Sequence, residues 1–300
     1  MRLTRIAAAA AGIAIAALTL TACNSGTPGA GPNEPGGETT ENPWTVATDV
    51  SLEGSPTFDA IKARGSVNIG VKEDQPNLGY LDPATSVRSG FDIDIARWIA
   101  ASLGYDEDKI NYVVVDSANR EQAIINGQID YYVGTYSITP ARKEQISFAG
   151  PYFVTGQGLL VAKDSSITGV DDLTADTVVC SVTGSTSIQR IKDETPAKTV
   201  ELSKYSECVE QVKSGQADAV TTDEAILIGY AAFYPNELKV VGEPFSEERY
   251  GIGVAKGDTA FVEFVNTMLT DGGDVWTAIF EKNLGPAGVT GTQPAVDPAE

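Results

Sequence analysis

Three places along this 300-residue chain gather groups able to hold the charged ends of a small zwitterion. In YYVGTYSITPARKEQISFAGPYF, from Tyr131 to Phe153, the hydroxyl residues Thr135, Ser137 and Thr139 lead to Pro140, where a helix should begin, and to Arg142 in its first turn. A helix start already carries partial positive charge, so a guanidinium is poorly placed there for the helix itself. An anion is its natural partner, because hydroxyls, free amides and a fork-shaped cation together make a carboxylate receptor. The competing reading is a surface arginine paired with Glu144 or a nearby aspartate. Gly184-Ser185-Thr186-Ser187 opens a helix toward Arg190 and also suits a carboxylate, unless Ser185 or Thr186 simply caps that helix. Thr222-Asp223 offers the opposite charge, suited to an ammonium, or else caps the helix Glu224 to Phe233.

The elements that must position these groups alternate. A helix from Phe58 to Arg64 ends at Gly65, and Val67 to Val71 reads as a strand. Phe91, Ile95, Trp98 and Ile99 fall at helical spacing, with Asp92, Asp94 and Arg97 on the other side, until Gly104. A strand at Tyr112 to Val115, a helix at Asn119 to Asn126 and a strand at Asp130 to Gly134 follow, an order that implies largely parallel sheets. Glu121 to Thr135 is echoed by Glu207 to Asp223: a helix, then Gly-Gln-x-Asp, then a strand ending in hydroxyl residues. Two lobes of similar topology account for the echo most economically, although a chance match in a common unit has the same form. In open α/β sheets ligands bind beyond the carboxyl ends of strands, which is where the three groups above fall.

Residues 1–22 read as an export signal, with Arg2 and Arg5 ahead of an apolar run from Ile6 to Leu20. Leu20-Thr21-Ala22-Cys23 resembles a bacterial lipobox, which implies cleavage before Cys23, its acylation (a palmitate-bearing lipoprotein) and tethering to the outer face of the cell membrane. Residues 23–50, rich in Gly, Pro, Thr and Glu, read as a flexible tether, and 286–300 as a polar tail. The formal charge is -20, and loss of Arg2 and Arg5 takes it to -22, which disfavours nucleic acid and leaves any bound anion dependent on a local cationic pocket. Cys180 and Cys208 are expected to form a disulfide in an exported chain, against the alternative of two separate buried thiols. Histidine is absent, so His-based acid/base, triad or metal chemistry is excluded; no metal or cofactor is expected.

The chain resembles the extracellular solute-binding proteins of family 3, polar amino-acid receptors of ABC importers. The resemblance runs from Phe58 to Leu284 and is carried by Gly90-Phe91-Asp92-Ile93-Asp94-Ile95-Ala96, Asn126-Gly127-Gln128-Ile129-Asp130, Ser137-Ile138-Thr139-Pro140-Ala141-Arg142, Phe148-Ala149-Gly150-Pro151-Tyr152 and Thr222-Asp223. Lys72-Glu73-Asp74-Gln75-Pro76, Cys180 to Thr186 and Tyr250-Gly251-Ile252-Gly253 bring it nearest to glutamate-binding lipoproteins of Gram-positive bacteria. It implies a bilobal periplasmic-binding-protein-like α/β fold (type II), with residues 51–155 plus 250–285 as lobe 1, 156–249 as lobe 2, and two hinge strands that close on ligand. It also implies that Arg142 grips an α-carboxylate, that Thr135 and Ser137 with Ser185 or Thr186 help hold the charged ends, and that Asp223 accepts from an α-ammonium.

Where many relatives use aromatics, this chain has Gln75 and Ser117; Lys72 replaces an acid of glutamine-binding relatives, and Arg120 matches an arginine that holds a side-chain carboxylate. The resemblance thus implies a monomeric, non-enzymatic receptor delivering L-glutamate to ABC permease subunits. Its alternatives are aspartate, glutamine or asparagine as ligand, a nutrient sensor, or a dehydratase-like enzyme on the same fold. Since the groups named titrate far from neutrality when unperturbed, affinity is expected to be nearly flat from about pH 6 to 8.

Overall fold

A computed structural model describes residues 42–299. The signal segment and Cys23 lie outside the described residues.

Two five-stranded sheets form the frame. In the first, Ile110–Val114, Val67–Val71 and Tyr131–Tyr132 run parallel, and Glu248–Val254 lies antiparallel between Tyr131–Tyr132 and Ser147–Thr155. The second repeats this order with Lys198–Leu202, Val178–Val182 and Ala219–Asp223 parallel, then Gln157–Ala162 and Leu238–Val241 antiparallel. The chain passes between sheets twice, through Gly156 and through the segment after Val241. At the crossing Glu248 pairs with Thr155 and Arg249 with Val154.

The sequence echo has a physical counterpart. In one lobe the Asp130 carboxylate accepts the Asn68 amide at 2.6 Å and the Asp130 amide donates to the Asn68 carbonyl at 2.8 Å. In the other, Asp218 makes the same pair of bonds to Val178, at 2.7 and 2.8 Å. Each aspartate clips the start of its own strand to the parallel neighbour, so the strand's far end is carried to the same edge in both lobes. The glycines three residues earlier, Gly127 and Gly215, have φ of 64° and 71°, left-handed values that glycine adopts without a Cβ clash.

Helices follow the expected pattern: Pro56–Arg64 begins two residues early because Ser55 caps it, accepting the Phe58 amide at 3.0 Å, and the helix expected at Asn119 to Asn126 spans Arg120–Ile125. The helix Glu224–Phe233 has the bounds read from the sequence. The disulfide Cys180–Cys208 is formed, with a Cα–Cα separation of 5.4 Å, and joins the inner strand Val178–Val182 to the helix Tyr205–Lys213.

Both terminal assignments need correction. Residues 42–50, taken as part of the tether, pack on the first lobe: the Ala47 amide donates to the Ala101 carbonyl at 2.9 Å, and Trp44 and Val50 lie against the core. The tail from residue 286 is also docked, since Val289 is buried, Asp297 pairs with Arg249 at 2.7 Å and its amide donates to Gly150 at 2.7 Å. Low apolar content concealed these segments because specific backbone partners, with a few anchors such as Trp44, hold them in place.

Candidate functional site

Strand ends from both lobes converge on one polar cluster. Thr135 follows the strand Tyr131–Tyr132 with φ 46°, an uncommon left-handed value for a β-branched residue. Its amide donates to the buried Asp92 carboxylate at 3.0 Å, whose other oxygen accepts the Tyr152 hydroxyl at 2.7 Å. The Gln75 side-chain amide donates to the Thr135 hydroxyl at 3.1 Å. Thr135 is therefore held directly by two segments of the first lobe, one of them braced by Tyr152.

The cations form a connected set. Lys72 donates to the Ser117 hydroxyl at 2.9 Å, and Arg120 donates through Nε to the Ser117 carbonyl at 3.0 Å. Arg120 and Arg142 each send an Nη2 donor across to the Gly184 carbonyl of the second lobe, at 3.3 and 3.0 Å. Arg142 also donates to the Ser137 carbonyl at 2.7 Å. Both guanidiniums lie over the Tyr136 ring, 4.2 and 4.9 Å from its centroid, where the negative face of the ring attracts cations. Lys72, Arg120 and Arg142 are 5%, 3% and 9% exposed, so the surface-arginine reading of Arg142 does not hold. Its carboxylate neighbour is Glu121, at 3.4 Å, and not Glu144. The helix after Pro140 is a single turn, Pro140–Lys143, so its dipole matters less here than the carbonyls that hold the guanidinium.

Asp223 supplies the opposite charge. It is 4% exposed and stands before the helix Glu224–Phe233 without capping it through its side chain. Its Oδ2 accepts the Tyr250 hydroxyl at 2.7 Å, while Oδ1 has no hydrogen-bond partner, nor has the neighbouring Thr222 hydroxyl. A buried carboxylate oxygen left unpaired costs free energy unless something else binds it. Ser185 does cap its helix, accepting the Ile188 amide at 3.1 Å, and Thr186 donates to Glu248 at 3.1 Å. Their hydroxyls are thus engaged within the protein, and the group this loop sends to the arginines is the Gly184 carbonyl.

Burial sets the electrostatics. Desolvation, helped by Arg120, pushes the Lys72 ammonium down to about 7. Desolvation and the nearby Glu248 push the Asp223 carboxyl up to about 7, against the Tyr250 hydrogen bond and the two arginines. Burial and Arg120 together lower Arg142 to about 10, still charged at neutrality. The flat pH profile expected above assumed unperturbed groups, whereas burial moves Lys72 down and Asp223 up, each toward neutrality.

Gln75, Ser117, Glu121, Tyr136, Glu248 and Tyr250 complete the cluster. Tyr136 lies between two residues singled out by their hydroxyls, and an aromatic there could have been read as a cation platform. Glu248 precedes Tyr250 in the crossing strand and nothing in its local sequence distinguishes it.

Lobe contacts are close at this point. A Cβ on Gly184, whose φ is 80°, would lie 2.8 Å from Ala118 Cα and 3.0 Å from its amide nitrogen. We expect Gly184→Ala to hinder the approach of the lobes and weaken ligand binding at least tenfold, since apparent affinity scales with the fraction of chains able to close. Calorimetry would measure it, and unchanged affinity would show that the lobes need not come this near.

Residues 67–285 match the bacterial extracellular solute-binding proteins, family 3, and the chain belongs to that family. Among its relatives, the glutamate-binding protein GluB of Corynebacterium efficiens is 39% identical over 89% of this chain and 85% of its own length. The glutamine-binding protein of Geobacillus stearothermophilus is 42% identical over 81% of this chain and 90% of its own. The solved cysteine-binding protein of Campylobacter jejuni, 29% identical, superposes with a TM-score of 0.72 over 77% of this chain and 94% of that one. The fold is accordingly the bilobal type II architecture of these amino-acid-binding proteins. Among the described residues no helix is long and apolar enough to cross a membrane.

Proposed function

We propose that this chain is a membrane-tethered extracytoplasmic receptor that captures L-glutamate by lobe closure and delivers it to an ABC importer. The observation that carries the reading is the linked set Lys72, Arg120 and Arg142, opposed by Asp223 with a free buried oxygen. Arg142 takes the α-carboxylate, with Thr135 and Ser137 beside it; Lys72 and Arg120 take the side-chain carboxylate, and Asp223 takes the α-ammonium. Ser185 and Thr186 shape the second-lobe wall. The relatives include both glutamate- and glutamine-binding proteins, and the additional cations Lys72 and Arg120 favour glutamate. Closure occurs about the two crossing strands, lobe 1 being 51–155 with 250–285, extended by the docked segments 42–50 and 286–299, and lobe 2 being 156–249. Acylation at Cys23 would anchor a monomer to the membrane.

Calorimetry of the purified mature chain with glutamate, glutamine, aspartate and asparagine tests the reading. Glutamate should bind most tightly, aspartate less so because it is one methylene shorter, and small-angle scattering should show a smaller radius of gyration on saturation. Equal binding of glutamine, or an unchanged scattering profile, would overturn the dicarboxylate assignment or the closure respectively.

A further inference from the structure

Tyr250 belongs to the strand Glu248–Val254, which crosses between the sheets, and it is fully buried. Its backbone pairs with Phe153 and bridges to Ser137, and its ring packs against Tyr152 and Phe153 at centroid distances of 6.0 and 5.7 Å. The position of its hydroxyl is thus dictated by the first lobe. That hydroxyl reaches the strand end of the second lobe and donates to Asp223 Oδ2 at 2.7 Å, the only hydrogen bond to this carboxylate among the described residues. Asp223 has no capping bond to hold its rotamer.

We propose that Tyr250 is a positioning residue for ligand recognition, its hydroxyl orienting the Asp223 carboxylate across the lobes so that Oδ1 is presented to the ligand's ammonium. The proposal rests on the reading that Asp223 meets an α-ammonium. The hydroxyl also counters burial and Glu248, which raise the Asp223 carboxyl. Glu248, on the same strand, raises the carboxyl, whereas Arg142 and Arg120 lower it; Tyr205, from the helix Tyr205–Lys213, also faces it. Binding should consequently be limited on the acid side by Asp223, which must be ionised to hold an ammonium, and on the basic side by Lys72, which must be protonated to hold a carboxylate.

The test uses the full mature chain, wild type and Tyr250→Phe, titrated with glutamate from pH 5.5 to 8.5 and challenged with glutarate, which has both carboxylates and no ammonium. Removing a hydrogen bond to a charged group should weaken glutamate about tenfold at pH 7 and leave glutarate within about twofold. The acid limb of the glutamate profile should move to higher pH while the basic limb stays. In an Asp223→Asn background the added Tyr250→Phe change should have no further effect on glutamate. If Tyr250→Phe weakens both ligands equally with the acid limb unmoved, the tyrosine only packs and the proposal is wrong. Should Tyr250→Phe fail to fold, Asp223→Asn alone decides: an unchanged glutamate-to-glutarate ratio means that Asp223 does not meet the ammonium. Failure of the wild type to bind glutamate at all would instead remove the underlying reading.

Discussion

Arg120→Ala is expected to weaken glutamate by roughly 30-fold to several thousand-fold while changing glutamine far less, and Lys72→Ala to act in the same direction. Both cations are buried, so a side-chain carboxylate supplies a counter-charge that an amide cannot; the amide leaves them desolvated and unpaired. Lys72, pushed down to about 7, is mostly neutral at pH 8 and should take up a proton when the carboxylate arrives. Arg142→Ala should weaken glutamate and glutamine alike, because both carry the α-carboxylate. Calorimetry on the three variants checks the ratio as well as the magnitude. A glutamate-to-glutamine ratio untouched by Arg120→Ala would mean that this cation serves only the fold, for example through its bond to Ser117.

Replacing Cys180 and Cys208 together by alanine should lower the unfolding free energy by about 3 to 4 kcal/mol, the chain-entropy value for a loop of this length. The bridge closes a separation of 28 residues and joins an inner strand of the second sheet to a covering helix, both sulfur-bearing residues being fully buried. Urea unfolding of the double variant would show the loss as a lower midpoint with a similar slope. A change below about 1 kcal/mol would place the constraint elsewhere in the lobe. Since neither cysteine lies among the ligand groups, glutamate affinity at low denaturant should be largely retained.

The sequence showed most clearly what depends on short-range pattern. Glu224–Phe233 was legible because an acidic start and an apolar run mark a helix, and the echoed Gly-Gln-x-Asp because each aspartate clips a neighbouring strand. Thr135, Ser137, Arg142 and Asp223 were legible as polar groups where strands end. What the residue types could not reveal is long-range. The Gly184 carbonyl matters because folding brings it to two arginines 64 and 42 positions away, and a backbone oxygen has no signature in a side-chain alphabet. Values near 7 for Lys72 and Asp223 arise from burial, which no local spacing encodes. Residues 42–50 and the C-terminal segment escaped for a related reason, since their partners, Ala101, Arg249 and Gly150, lie on the far side of the chain's path.

At the rim of the cleft, Asp74 of the first lobe accepts the Ser206 amide at 3.0 Å, in the opening turn of the helix Tyr205–Lys213, and its carbonyl accepts the Tyr230 hydroxyl. Lys204 pairs with Glu73 alongside, at 2.6 Å. A helix of one lobe is therefore completed by a carboxylate of the other, and only when the two are together. Tyr230 lies outside the proposed ligand cluster, so on the proposed closure changing it would scale the apparent affinity for every ligand by one common factor, whereas changing Asp74, whose charge also raises Lys72, would shift the preference as well. On the proposed reading, the rim contact of Tyr230 would set how readily the lobes close, and Lys72 with Arg120 would set which ligand they close upon.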